Sequence, residues 1–453
     1  MRARIFQYAF LVVWLTIVPT VGHTAEYWTI GTPMPITGWY SPTAVALQGK
    51  IYLFGGYVWG QTPETNFVEM YDPEQDSWQT MTPMPEIRAY MGAAAVDDSI
   101  YLFGGLGGGY LKSTVWKYTP ALEGTPAGPW CTDLHSIGYP NQPGIERGGG
   151  GVVAREGKIY LFGGRYAPFI VPYVYADWQW YSTTWCYDPA TDMWAQKASM
   201  PSAGSIPAAV VGTKIYLVGG EDPRSLPSGY LSSGLLWAYG TTANVWDTNL
   251  PNFGGGTIAY HAVCTINGRV YVAGGYADSA GCVGQPLTWR YDPDARQWEQ
   301  LAPMPVPTIG PAFTACGGNF YLFNGYSSCA GPYSNLTQIL HVVQPTIAAT
   351  VDIDPNTLNL QSRGKWVTCY ISFPADVNVV DVNSNSILLN GKIKAEWNWV
   401  EEEEQVMMAK FSRSAVQGIL QPGTVELTVS GKLNDETRFE GKDTITVINE
   451  GKP

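Results

Sequence analysis

Basic residues are scarce in this chain of 453 residues: 26 Lys and Arg stand against 38 Asp and Glu, a formal net charge of −12, and they form no run. A surface so poor in clustered cations cannot neutralise a row of phosphates, which excludes nucleic acid as a partner, and it lacks the polybasic segments that anionic membranes attract. Histidine is scarcer still, with four copies, and no Cys or His spacing resembles a zinc site, so neither metal nor cofactor is expected. Long apolar runs are missing except at the start, where Met1-Arg-Ala-Arg4 precedes the run Ile5 to Val18 and then Pro19. That run is shorter than the ~20 residues that span a bilayer. Residues 1–25 read as a secretory signal peptide cleaved after Ala25, with Gly22 the alternative because His23 would sit at an atypical position. The expected product has no transmembrane segment and is secreted, or held in the periplasm or cell envelope.

What the chain has in quantity is apolar and aromatic residues, 45% and 13%, together with 51 glycines. They are ordered by a repeat. Ile51-Tyr-Leu-Phe-Gly-Gly56 recurs from Ile100 and Ile159, then as Ile215-Tyr-Leu-Val-Gly-Gly220, Val270-Tyr-Val-Ala-Gly-Gly275 and Phe320-Tyr-Leu-Phe-Asn-Gly325. The copies stand roughly 50–60 residues apart, the length of one four-stranded propeller blade with its loops. A two-residue turn precedes each copy, as at Gln48-Gly49 and Asn267-Gly268, so the strand before it forms a hairpin with it. That preceding strand is built of Ala, Gly and Val, as in Ala93 to Val96 and Ala208 to Val211, which suits strands crowded about an axis.

A variable loop follows each Gly-Gly, then a third strand ending in Tyr, a turn, and a Trp: Tyr71/Trp78, Tyr118/Trp130, Tyr187/Trp194, Tyr239/Trp246 and Tyr291/Trp298. Tyr-Asp-Pro sets the turn in three of them, where Pro fixes the dihedral and Asp bonds the backbone beyond. Met-Pro then ends the fourth strand at Met84, Met200 and Met304. The sixth copy lacks its Trp, while the N-terminus carries an orphan Tyr27-Trp28 and Met34-Pro35. The two halves complete each other, so the N-terminal segment is expected to supply the outer strand of the last blade and remove an open edge.

The double glycine, the spaced Tyr and Trp and the Met-Pro stop resemble the Kelch repeat family in its secreted prokaryotic form, from about Glu26 to Pro345. The resemblance implies an all-β fold: a six-bladed propeller over residues 26–345. Beyond Thr346 the double glycines end and short alternating strands such as Trp366 to Phe373 predict a β-sandwich over 346–450, similar to an accessory module of secreted prokaryotic proteins.

Seven cysteines leave at least one unpaired. Cys282 and Cys329 both follow the second strand in adjacent blades and are the expected disulfide; Cys131 and Cys186 are a weaker pair. Cys264, Cys316 and Cys369 suit small buried hydrophobes. Consecutive Glu401 to Glu404 suit a solvated hairpin tip, and Asp352 with Asp354 share one strand face where Ca²⁺ is a remote alternative.

Loops leaving the double glycines and those after Met-Pro fall on one face, the expected seat of function. There lie Trp39, Tyr40, Arg88, Tyr90, Arg147, Arg165, Tyr166, Glu221, Tyr260, Tyr276 and Tyr326. Rings alternating with Arg and Glu suit a glycan or an extracellular protein. A non-catalytic binding propeller is the first reading. The second follows from likeness to Kelch-like sialic acid mutarotases, an enzyme acting on a sugar, with Glu146 and Glu221 as acid and base and Arg147 and Arg165 as carboxylate anchors.

Overall fold

The computed structural model describes residues 26–60, 64–140, 149–166, 179–221, 232–277, 283–328, 331, 333–342, 346–375, 377–434 and 437–450. Up to residue 342 the chain forms six four-stranded antiparallel sheets with short pairs at their ends. From the innermost strand outward, the first sheet runs Thr43–Leu47, Lys50–Phe54, Val68–Asp72 and Ser77–Thr80. Its five successors begin at Gly92–Val96, Gly151–Arg155, Ala208–Val211, Ala262–Ile266 and Ala312–Cys316. These innermost strands pack each against the next, and the sixth against the first. The arrangement fits a β-propeller. Small residues permit the crowding: a Cβ on Gly92 would stand 2.2 Å from Val152 of the next sheet, and one on Gly151 2.7 Å from Ala208 of the sheet after that.

The hairpin turns fold as their residues dictate. Gln48 and Gly49 have φ of +50° and +76°, and Asn267 and Gly268 of +52° and +67°, the pair of left-handed residues a tight hairpin needs. The orphan N-terminal segment pairs in the sixth sheet: Tyr27–Gly31 lies antiparallel to Thr337–His341, Tyr27 opposite His341 and Gly31 opposite Thr337.

The Tyr and Trp of each repeat tie sheet to sheet. Tyr71, Tyr118, Tyr187 and Tyr239 donate to Asp76, Glu123, Asp192 and Asn244 at 2.6–2.7 Å. Those same acceptors take backbone N–H groups of the neighbouring sheet's outer edge, from Thr32, Thr82, His135 and Ala198. The Trp indoles donate back to the same segments, as Trp78 to the Thr32 carbonyl at 3.0 Å and Trp246 to that of Ala198 at 3.0 Å. In the fifth sheet Arg296 stands where the acceptor belongs, and the buried Tyr291 hydroxyl has no hydrogen-bond partner among the described residues. Tyr187→Phe should therefore cost about 1–3 kcal/mol by removing a hydrogen bond to a carboxylate, leaving Asp192 with the His135 N–H, whereas Tyr291→Phe should be neutral or stabilising. Urea unfolding of the two variants side by side measures the contrast.

The aspartates of the Tyr-Asp-Pro turns anchor the innermost hairpins. Asp72 meets Lys50 at 2.6 Å, Asp292 meets Arg269 at 2.9 Å, and Asp188 bonds Lys158. The lysines lower the pKa of Asp72 and Asp188, and the turn N–H of Ala295 followed by Arg269 lowers that of Asp292. A depressed carboxylate contributes stability that is fully present above its unfolded value near ~4 and is lost as pH falls through the folded values. Melting temperature should hold down to about pH 4 and then drop; a melt series from pH 2.5 to 7 reads it directly.

Beyond residue 346 two sheets share one core. One orders Thr350–Asp354, Trp366–Ser372, Val406–Ser412 and Trp397–Glu401; the other is built on the long hairpin Gly423–Lys432 with Arg438–Ile448. Strand alternation sends Val367, Cys369, Ile371, Met407, Ala409 and Phe411 inward against Leu427, Val429, Phe439 and Ile445. Glu402 to Gln405 make an exposed turn. Among the described residues, no helix is long and apolar enough to cross a membrane and no cluster of three or more His, Cys, Asp or Glu could hold a metal ion.

The expected pairing of Cys131 with Cys186 is overturned, since both are free. Cys131 lies exposed on the outer strand of the second sheet, whereas Cys186 is buried among Tyr160, Trp237 and Tyr239 between the third and fourth sheets. Its neighbour Tyr187 takes the face toward the second sheet, and the one-residue alternation turns Cys186 away. Cys264, Cys316 and Cys369 are buried and free. Cys282 and Cys329 lie outside the described residues.

Candidate functional site

A cavity of about 580 Å³ runs along the axis between the six innermost strands. Its walls are mostly Ala, Gly and Val, and its polar lining at one end comprises Tyr90, Arg165, Ser205, Glu221, Tyr260 and His261. Two positions of each repeat build that collar. One is the residue directly after the double glycine: Tyr57, Leu106, Arg165, Glu221, Tyr276 and Tyr326. The other lies just ahead of the innermost strand: Ser41, Tyr90, Gly149, Ser205, Tyr260 and Gly310. Backbone bridges hold the two together: Ser205 pairs directly with Glu221, and elsewhere the residue ahead of the second position pairs with the first, as Ala259 with Tyr276 and Ile309 with Tyr326.

The second position demands a left-handed backbone in most copies: φ is +55° at Ser41, +56° at Tyr90, +69° at Gly149, +53° at Tyr260 and +59° at Gly310. Glycine meets that demand without strain, and two sister repeats use it. A tyrosine there is a strained choice costing on the order of 1–3 kcal/mol. Both strained tyrosines touch the same guanidinium. Arg165 Nη1 donates to the Tyr260 hydroxyl at 3.2 Å and stands 3.5 Å from Glu221 Oε1; its Cζ lies 5.0 Å over the Tyr90 ring; Tyr260 in turn donates to Glu221.

Further rings complete the collar. Tyr57 faces Tyr90 with centroids 5.8 Å apart, Tyr40 stacks on Tyr57 at 5.2 Å and on Tyr333 at 4.5 Å, and Tyr326 lies 5.6 Å from Tyr333. Tyr276 stacks on Tyr260 at 5.8 Å, and Tyr260, Tyr276 and Tyr326 pack together about Ala259 and Ile309. Trp59, 62% exposed, stands on the outer rim 4.7 Å from Tyr333.

Burial raises the Tyr260 phenol far above its ordinary range; Arg165 opposes this and Glu221 adds to it. Burial, then neighbouring phenols, also raises Tyr57 and Tyr326. Burial works against the Arg165 charge, but Tyr260 and Glu221 outweigh it and hold the guanidinium protonated. Burial pulls His261 down to about 3, so it is neutral. Among the described residues the collar therefore presents neutral phenols around the ion pair of Arg165 with Glu221, and the buried Glu64 accepts from Tyr57 at 3.2 Å.

Of the expected residues, Tyr40, Tyr90, Arg165, Glu221, Tyr260, Tyr276 and Tyr326 are brought together. Two are not. Trp39 is fully buried between the sixth and first sheets, its indole donating to the Gly55 carbonyl at 2.6 Å. Arg88 is 1% exposed, donating to the Gly104 carbonyl at 2.9 Å and Thr114 at 2.8 Å with its Cζ 4.0 Å over Trp116, and so braces the second sheet. Glu146, Arg147 and the side chain of Tyr166 lie outside the described residues. Tyr57 and Tyr333 were missed. The register after the double glycine already marks Tyr57; nothing in the sequence marks Tyr333.

Residues 24–220 match the KLHDC2/KLHL20/DRC7 Kelch-repeats domain and residues 258–305 the Kelch motif. The chain is 29% identical over 265 residues to Kelch-like protein terF of Aspergillus terreus, covering 54% of this chain and 53% of that one. It is 26% identical to Kelch-like protein 25 of Xenopus tropicalis, covering 60% and 42%. It is 27% identical to the N-(sulfonatooxy)prop-2-enimidothioate sulfolyase of Thlaspi arvense, covering 51% and 67%. The chain spans about half the length of the first two.

Proposed function

Since this chain is a Kelch-repeat protein, we propose that its six sheets are the blades of one closed six-bladed propeller, followed by a β-sandwich, and that the propeller is a binding module. A segment of a partner protein enters the tyrosine collar. The observation that carries this reading is the pair Tyr90 and Tyr260, held at positive φ in a slot that Gly149 and Gly310 fill without strain. Side chains retained at such a cost are retained for what they touch, and these converge on Arg165. An apolar side chain fits the Ala- and Val-walled cavity below, while the phenols, Arg165 and Glu221 satisfy the backbone amides around it. A glycan would use the same stacked rings and hydroxyls. None of these relatives is named for sugar mutarotation, and Glu221 already accepts from both Tyr260 and Arg165, which supports binding over acid–base work.

Export across a membrane belongs to the same reading, supported by the N-terminal Met1-Arg-Ala-Arg4 and the apolar run after it. So does a Cys282–Cys329 disulfide: Val283, which follows the one, bridges Ser328, which precedes the other.

Tyr90→Gly tests the proposal. Glycine relieves the backbone while removing the ring, so stability should stay within about 1 kcal/mol of wild type. A photo-crosslinker at Trp59 on the rim should capture a protein partner in the wild-type background, with at least tenfold less adduct in Tyr90→Gly. A variant that instead unfolds readily would assign the ring to packing. Capture undiminished by the substitution would remove the collar from the binding site.

A further inference from the structure

The outward face of the sheet containing Trp397–Glu401 has no part in the shared core, because alternation sends its neighbours inward. On that face Trp397 and Trp399 are 42% and 55% exposed, and Tyr370 37%. The two indoles sit two residues apart on one strand, their planes within 6° of parallel and their centroids 6.4 Å apart. The register continues across the sheet in two rows. Trp399 lies beside Met408, then Tyr370, then Asp352; Trp397 lies beside Lys410, then Thr368, then Asp354. Lys410 Nζ rests 4.7 Å from the Trp397 ring centroid.

We infer that this face is a carbohydrate-binding platform for a polysaccharide, a second site independent of the tyrosine collar. Each row runs from an exposed ring to a carboxylate. A polysaccharide laid across the strands matches that order: the row covers three interstrand spacings, about 14 Å, so the C–H face of one sugar stacks on an indole while hydroxyls of the sugars beyond it bond the ammonium and carboxylate groups. A flat apolar protein surface would strand Asp352, Asp354 and Lys410 without water. A polyanion is disfavoured by the same carboxylates and by the net charge of −12. Exposed rings ordered by a rigid sheet also lose little entropy on binding.

Affinity electrophoresis of the full chain through gels containing hydroxyethylcellulose, laminarin, xylan or glycol chitin tests it, with indole fluorescence titration as a second readout. The expected result is retardation in at least one gel, weakened at least tenfold in Trp397→Ala/Trp399→Ala, largely kept in Trp399→Phe and unchanged in Tyr90→Gly. Circular dichroism matched to wild type qualifies each variant, and Trp399→Phe preserves the ring if the double variant fails to fold. Migration unaffected by all four polysaccharides, with no fluorescence change, overturns the inference. So does retardation that survives loss of both indoles, or that disappears with Tyr90→Gly.

Discussion

A chain that begins at Thr32, lacking Glu26 to Gly31, is expected to lose about 5 kcal/mol or more of stability, equivalent to about 7 °C or more in melting temperature for a domain of this size. The strand makes five residue pairs with Thr337–His341, more than 300 positions away, and its loss exposes an unpaired edge on the sixth sheet. It also reaches the fifth sheet. Glu26 accepts from Arg290 at 2.7 Å and Tyr271 at 2.8 Å in the fifth sheet, and the Trp28 indole donates to Thr288 at 3.2 Å. Immediately beyond the strand, the Thr32 carbonyl takes the Trp78 indole of the first sheet. Removing the strand therefore strips hydrogen bonds from the fifth and sixth sheets at once, and cuts the Thr32 that Trp78 holds loose from the strand that positions it. Thermal melts and size-exclusion profiles of the truncated and full-length chains measure the outcome; a loss of only a few degrees would mean that closure by the N-terminal strand is incidental. A synthetic peptide of residues 26–35 should restore much of the loss, since pairing needs the strand's backbone and not its covalent continuity.

How the sequence announced this closure explains what it left unannounced. The orphan Tyr27-Trp28 was readable because every other repeat supplied the missing element in the same order. The turns were readable because Asn267-Gly268 and its counterparts carry the chemistry of a left-handed pair. The collar was readable in part, because position relative to the double glycine selects Arg165, Glu221, Tyr276 and Tyr326. Trp39 and Arg88 were misplaced for a reason that the repeat itself contains. They occupy the slot of Ile258 and Thr308, two residues ahead of the collar position, and all four are buried to within 1%. Residue type argued for a binding surface; register argued for the core, and register prevails because the backbone is the same in every copy. Tyr333 belongs to no repeated position, so only the packed structure brings it onto Tyr40 and Tyr326. The failed pairing of Cys131 with Cys186 has the same origin. Proximity along neighbouring outer strands was legible, but the side of the sheet each sulfur takes depends on a single residue of register.

The ion pair at the collar separates binding from folding. Glu221→Ala is expected to destabilise the protein by about 3–5 kcal/mol, because Arg165, with its side chain 11% exposed, keeps its charge and loses this counter-charge. Tyr260 loses its acceptor in the same change. Arg165→Ala should cost a comparable amount by leaving Glu221 buried. The double variant Arg165→Met/Glu221→Leu should instead return to within about 1–2 kcal/mol of wild type, since an apolar pair of similar volume carries no desolvation penalty. Urea unfolding of wild type, Arg165→Met, Glu221→Leu and the double variant closes the cycle, and with single costs like those of the alanine variants the coupling between the two sites should be about 4 kcal/mol or more. Capture through the Trp59 crosslinker should be lost in the double variant despite its recovered stability. If the double variant is as unstable as either single one, the pair is part of the scaffold and the collar's specificity must lie in its phenols. If it is stable and still captures partner, the ligand is recognised by ring faces alone. Recovery of stability with loss of capture is the expected outcome, because a buried ion pair contributes little net stability, and the strained tyrosines that grip Arg165 are better explained by recognition than by folding.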